Sequence, residues 1–201
     1  SGNELLNRHG RKPERVGFVH CVGSRDEKVN NLHCSKVCCI TAVKQAIEVK
    51  QKLPDAEVFC FYMDLRMFGR HYEELYKEAQ EKYNIQFIRG RLSESTEDQE
   101  GNVVVKVEDT LLGKPLRIKT SLLVLMAGME PRANTRSLAR RMGLKTVSDG
   151  FIQPVDEVLH SNYTEIPGLF VAGTCSGPKS VADTLADARS AAFAVADFLK
   201  K

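Results

Sequence analysis

Between Arg15 and Arg89 the hydrophobic pattern switches period four times, and that rhythm restricts the fold more than any other feature. Residues 15–22 form an apolar run of strand length. From Ser35 the spacing becomes helical: Val37, Ile40, Val43, Ile47 and Val49 fill roughly one face, and the pattern stops near Lys52, just before Pro54. Residues 56–63 return to a strand pattern. Residues 70–83 are amphipathic, with Tyr72, Leu75, Tyr76 and Ala79 on one side, and residues 85–89 make a third short strand. Strand, helix, strand, helix, strand is the order of a parallel α/β sheet.

The pattern then changes. Residues 93–102 are predicted to be a polar turn. Residues 103–107 and 116–118 flank Gly113, Lys114 and Pro115 and predict an antiparallel hairpin. A buried strand is expected at 121–126, running into Ala127, Gly128, Met129, Glu130 and Pro131. A short helix near 134–142, a turn at 148–150, a strand at 169–173 and a long helix over 181–199 complete the chain. The expected organisation is a disordered lead-in over 1–11, a reduced nucleotide-binding-like domain over 12–120, and half of a second domain over 121–201. Ser1, Gly2 and Asn3 resemble the scar of a removed tag, with no secretory segment behind them.

Charge and hydropathy exclude several classes. The net charge of +3 is small, and the basic residues are interspersed with acidic ones, so no nucleic-acid partner is expected. No apolar run approaches the length of a bilayer span, so no direct membrane insertion is expected either. The default is a cytoplasmic protein, or one on the cytosolic face of a membrane complex.

Four of the six cysteines fall within 19 positions: Cys21, Cys34, Cys38 and Cys39. Without a secretory context, such clustering favours metal or redox chemistry over structural disulfides. If a helix begins at or before Cys34, the thiols of Cys34 and Cys38 share one face, one turn apart. Cys39 then lies about 100° round the axis, and a loop is needed to return Cys21. Four converging thiolates suit a [4Fe–4S] cluster or a tetrahedral zinc. The adjacent Cys38–Cys39 pair is a poor match to zinc knuckles, and a redox disulfide or buried apolar cysteines remain open readings. His20 and His33 are candidate ligands or polar neighbours. Cys60, between Phe59 and Phe61, reads as packing.

Residues 21–27 (Cys-Val-Gly-Ser-Arg-Asp-Glu) and 34–39 (Cys-Ser-Lys-Val-Cys-Cys) together resemble the heterodisulfide reductase A family. Its relatives include the A-type subunits of the quinone-interacting membrane-bound oxidoreductase complex. The likeness continues through residues 61–66, 68–69, 72–74, 87–91 and 107–111, and ends with 177–179 and 183–184. It implies a thioredoxin-reductase-like flavoprotein that carries FAD and a [4Fe–4S] cluster, with Cys21, Cys34, Cys38 and Cys39 as ligands. It also implies electron transfer within a larger complex of subunits, and an oxidoreductase subunit rather than a general acid–base enzyme, so no catalytic base is nominated. No G-x-G-x-x-G occurs here. The chain is therefore expected to be a C-terminal fragment, inactive alone, that binds FAD weakly or not at all. A non-catalytic interaction module, zinc-stabilised or apo, is the rival expectation.

Two segments resemble the flavin-contacting parts of such proteins. The first is the strand leading to Gly128, where a missing side chain allows close approach. The second is Gly173, Thr174 and Cys175 followed by Gly177, Pro178 and Lys179, where Thr174 stands in place of an acidic residue and Lys179 is a candidate for flavin N1 or a phosphate. The helix that follows would direct its N-terminus at the isoalloxazine carbonyl. Asp183 and Thr184 in its first turn are candidate cofactor neighbours, with capping as the competing role for Asp183.

Overall fold

The computed structural model describes residues 4–200; the expected tag scar at residues 1–3 lies outside them. The chain divides into two compact units. The first takes the residues up to Val22 and then Cys38–Ala127. The second takes Gly23–Val37 and everything from Gly128. The divide therefore falls after Ala127, where the sequence placed it at residue 120, because the strand at 122–127 joins the first unit's sheet.

In the first unit, β1 (Arg15–Val22), β2 (Glu57–Tyr62), β3 (Gln86–Arg89) and β7 (Leu122–Ala127) form a parallel sheet in the order β3-β2-β1-β7. Helices α1 (Cys38–Lys52) and α2 (Tyr72–Glu81) make the crossovers, which parallel strands require. Val16, Phe18, Val58 and Cys60 on the sheet pack with Cys38, Ala42, Val43, Ala46 and Ile47 of α1. The opposite face of the sheet buries Phe59, Phe61 and Ile88 against Val105 and Val107. Those valines belong to an antiparallel sheet of β4 (Leu92–Glu97), β5 (Val103–Asp109) and β6 (Lys114–Thr120). Gly17 lies where the layers are tightest: a Cβ there would sit 3.0 Å from both Leu123 and Phe61.

Several expectations require correction. β4 occupies the stretch predicted to be a polar turn. Its side chains are largely exposed, so no hydrophobic alternation marks it, and the ladder to β5 holds it in place. Only its end turns, where Asp98 accepts from the backbone N–H groups of Glu100 and Asn102, both at 2.9 Å. The lead-in is held by an Asn7–Arg11 backbone hydrogen bond of 2.8 Å, with Leu5 against the core. Helix α1 starts at Cys38 rather than Ser35, because Lys36 has a left-handed backbone (φ 63°) that a continuing helix does not tolerate.

The second unit is mostly irregular. It contains a 3-10 turn (Glu27–Val29), α3 (Thr135–Arg141), a second 3-10 turn (Gly173–Ser176) and the 18-residue α4 (Val181–Phe198). The strand expected at 169–173 is reduced to a single bridge, Tyr163 to Phe170. An extended segment needs a neighbour for its ladder, and among the described residues no strand lies alongside this one.

Candidate functional site

The four clustered cysteines are distributed between the units. Cys34 belongs to the second unit's 23–37 segment, and Cys21, Cys38 and Cys39 belong to the first. The one-turn pairing of Cys34 with Cys38 does not form, since Cys34 precedes α1; its sulfur accepts a hydrogen bond from the Lys36 N–H at 3.4 Å. Cys21 sits at a bulge near the carboxyl end of β1, with φ 58°. Cys38 and Cys39 open α1 and are buried. Cys39 Sγ accepts from the Arg66 N–H at 3.5 Å and donates to the Asp64 carbonyl at 3.7 Å.

This donor chemistry fits an iron–sulfur group. Thiolates are its natural ligands, backbone N–H groups on sulfur tune it, and a helix N-terminus favours the negative charge that thiolates carry. Among the described residues no three His, Cys, Asp or Glu side chains are grouped so as to hold a metal ion. Cys60 lies in the apolar layer, where burial, with the Cys39 thiol nearby, pushes its own thiol up; it is a packing residue, as expected. His20 is buried, and neither ring nitrogen has a hydrogen-bond partner among the described residues. Burial pushes its pKa down to about 4.

In the second unit, the 23–37 segment is tied to the turn after β7. Ser35 Oγ accepts from Met129 N–H at 2.7 Å and lies 2.5 Å from Ser24 Oγ, with both serines fully buried. His33 Nε2 meets the Met129 carbonyl at 2.8 Å, and its Nδ1 faces the Asp149 carboxylate at 3.3 Å. Asn31 donates to Glu130 at 2.7 Å. Gly128 makes room for this arrangement, since a Cβ there would collide with Ser24 Oγ and meet the Gly23 carbonyl oxygen at 3.0 Å. The absence of a side chain at Gly128 thus serves close packing within the protein.

Beside this turn is a cavity of about 300 Å³, lined by Met129, Glu130, Pro131, Phe151, Thr174, Cys175 and Pro178 among others. Both flavin-like segments of the sequence contribute to it. Thr174, Cys175 and Pro178 reach the wall. The remaining candidates shape the loop. Gly173 and Gly177 have positive φ (78° and 146°) that a side chain would strain. Lys179, expected to face a ligand or solvent, is turned back: its Nζ donates to the Gly173 carbonyl at 2.9 Å and to Ser176 Oγ at 2.7 Å. Asp183 accepts from the Ser180 N–H while Ser180 Oγ accepts from the Asp183 N–H, a reciprocal cap on α4. Those bonds hold the Asp183 carboxyl below its ordinary range. Thr184 donates to the Ser180 carbonyl at 2.8 Å.

The sequence reading missed the residue that fixes this loop. Asp187, one helical turn after Asp183, accepts from Gly173 N–H at 2.6 Å and from Asn162 Nδ2 at 2.9 Å, with Lys179 Nζ at 3.6 Å. It is one of three aspartates in α4, with Asp183 and Asp197, and nothing in the spacing sets it apart from them.

A family model described as pyridine nucleotide-disulphide oxidoreductase matches residues 41–192. The chain belongs to that family. It is also homologous to the A-type subunits of heterodisulfide reductases. It is 45% identical over 195 residues to the iron–sulfur A-type subunit of the CoB–CoM heterodisulfide reductase of Methanocaldococcus jannaschii, covering 96% of this chain and 30% of the relative. It is 44% identical over 196 residues to the A-type subunit of the H(2)/formate:CoB–CoM heterodisulfide,ferredoxin reductase of Methanococcus maripaludis, covering 97% and 30%. The chain thus spans about 30% of the length of these curated relatives. The thioredoxin reductase of T. acidophilum shares the fold, with a TM-score of 0.61 at 20% identity, over 93% of this chain and 53% of that one. The α/β, thioredoxin-reductase-like fold class expected from the sequence is the one found. Among the described residues no helix is long and apolar enough to cross a membrane.

Proposed function

We propose that this chain is part of an electron-transfer oxidoreductase subunit of the heterodisulfide reductase A kind, in which Cys21, Cys34, Cys38 and Cys39 ligate a [4Fe–4S] cluster and the Met129–Pro178 cleft receives the flavin ring of FAD. The observation that carries it is the Cys-x12-Cys-x3-Cys-Cys run in a chain 45% identical to a relative named as an iron–sulfur subunit. The donor chemistry described above supports the same reading. FAD accepts one or two electrons and a cluster one, so the pair can split or combine electrons.

The chain's own residues supply positioning. Cys38 and Cys39 present sulfur at the start of α1, and the Arg66 N–H steadies the Cys39 sulfur. Ser35 and His33 hold the Met129 peptide at the cleft wall, and Asp187 and Lys179 hold the loop that presents Thr174 and Cys175. No side chain is assigned a proton-transfer role. Further subunits of an electron-transfer complex are the partners this reading implies.

The test is anaerobic reconstitution followed by iron and sulfide analysis and visible absorption. Four irons and four sulfides per chain are expected for a [4Fe–4S] cluster, with loss of the absorbance in Cys38→Ser. One equivalent of zinc without sulfide would replace this reading with an interaction module. Absorbance unchanged in Cys38→Ser would remove that residue from the ligand set.

A further inference from the structure

Among the described residues of the first unit, His20 is the polar side chain whose burial has no internal explanation. It is 6% exposed, and both of its ring nitrogens lack a hydrogen-bond partner among the described residues. Buried polar groups are almost always satisfied, and an orphan marks an absent water, ion or ligand. Two buried orphans on one ring are a stronger mark than one.

The strand fixes which way the ring faces. Along β1, Val16 and Phe18 join the layer shared with α1, whereas Val19 joins the opposite layer. On the neighbouring strand, Leu122, Val124 and Met126 also lie in the α1 layer. Phe18 pairs with Val124 and Val19 with Leu125, and alternation along the strand returns His20 to the face of Phe18. The register slips by one residue between Val19 and Val22, and the left-handed backbone at Cys21 absorbs the extra residue. His20 therefore keeps the α1 side.

In a strand–helix–strand unit the helix begins beyond the carboxyl end of the first strand. Cys38 and Cys39 begin α1, and Cys38 is a member of the same layer as Phe18. Cys60, level with Phe18 across the β1–β2 ladder, feels the Cys39 thiol. His20 and Cys21 at the carboxyl end of β1 and Cys38 and Cys39 at the start of α1 thus all belong to the first unit. Neither ring nitrogen meets an acceptor among the described residues, and the sulfur of Cys38 lies in the same layer.

We propose that His20 is a hydrogen-bond donor to the sulfur of the bound cluster, a residue that sets its reduction potential rather than a ligand. This rests on the cluster reading above. An imidazole carries at least one N–H in either protonation state. A donor aimed at sulfur stabilises the more negative, reduced cluster, and such bonds are among the terms that set cluster potentials.

The experiment compares the reconstituted chain with His20→Phe and His20→Gln, each analysed for iron and sulfide and titrated by electron paramagnetic resonance. Full cluster content is expected in all three, with a lower potential in His20→Phe and a value restored toward wild type in His20→Gln, whose amide still donates. Full content with an unmoved potential in His20→Phe would overturn the proposal and leave the cluster reading intact. Loss of the cluster in His20→Phe together with its retention in Cys21→Ser would also overturn it, by making His20 the ligand. A wild-type chain that takes up neither iron nor sulfide would sink both readings at once. Should His20→Phe not fold, His20→Met is the second apolar variant, because methionine adapts to irregular space. The same lower potential is expected from it, and an unmoved one would be fatal.

Discussion

The partly buried Asp187 holds the loop that forms one wall of the cleft, and replacing it with alanine isolates the energy that holds that wall. The carboxylate is engaged by the Gly173 N–H at 2.6 Å, the Asn162 amide at 2.9 Å and the Lys179 ammonium at 3.6 Å, with the Asp187 side chain only 10% exposed. Hydrogen bonds to a charged group contribute about 1.5–3 kcal/mol each, and removing one partner of a buried pair costs about 3–5 kcal/mol. The terms overlap. Asn162 keeps its bond to the Val171 carbonyl, and Lys179 keeps Gly173 and Ser176, so about 3 kcal/mol is the expected net loss. At about 1.4 kcal/mol per tenfold, local opening of residues 173–179 should become roughly a hundredfold more frequent. Native-state hydrogen exchange, resolved to peptides covering 170–180, reads this directly. Asp187→Asn keeps an acceptor for Gly173 but not the charge, and should fall about midway. Amides of α1, in the other unit, are the control. Exchange over 173–179 that stays within about twofold of wild type in Asp187→Ala would refute the claim that this carboxylate fixes the loop.

Two further outcomes follow from the same geometry. Gly128→Ala forces a methyl group against Ser24 and the Gly23 carbonyl and should cost about 1–3 kcal/mol, read as a lower urea midpoint with an unchanged slope. Asp183 has its folded pKa depressed by the Ser180 bonds from an ordinary value near 3.8. Its capping contribution is therefore complete above that value and is lost as pH falls through the lower, folded one. Exchange in the first turn of α4, corrected for intrinsic rates, should rise in that window in wild type and stay flat in Asp183→Asn.

Much of the first unit was legible because burial wrote its period into the chain. Residues 15–22 and 57–62 are apolar runs that become the centre of a parallel sheet, residues 122–127 one that becomes its edge, and α1 shows its inner face in Val43 and Ile47. β4 was not legible, because an exposed strand held by its neighbour's ladder carries no apolar signal. Residues 169–173 were misread for the opposite reason: they are apolar enough for a strand, yet they pair with residues 162–163 alone, too short a neighbour for a ladder. Around the site, Thr174, Cys175 and Pro178 were visible from local glycine and proline chemistry. Ser24, Ser35 and Asp187 were not, since a small polar residue looks the same in sequence whether it faces water or stitches two segments together. The start of α1 turned on the backbone sign of a single lysine, Lys36, which no side-chain pattern announces.

The bulge at Cys21 has a further consequence. In a regular strand, parity alone tells each side chain which surface it joins, so even and odd positions never trade places. One supernumerary residue suspends that bookkeeping at the cysteine itself. Alternation therefore does not set the direction of its sulfur, and deletion of His20 alone would return the thiol to the ordinary count without altering one letter of the cysteine motif downstream.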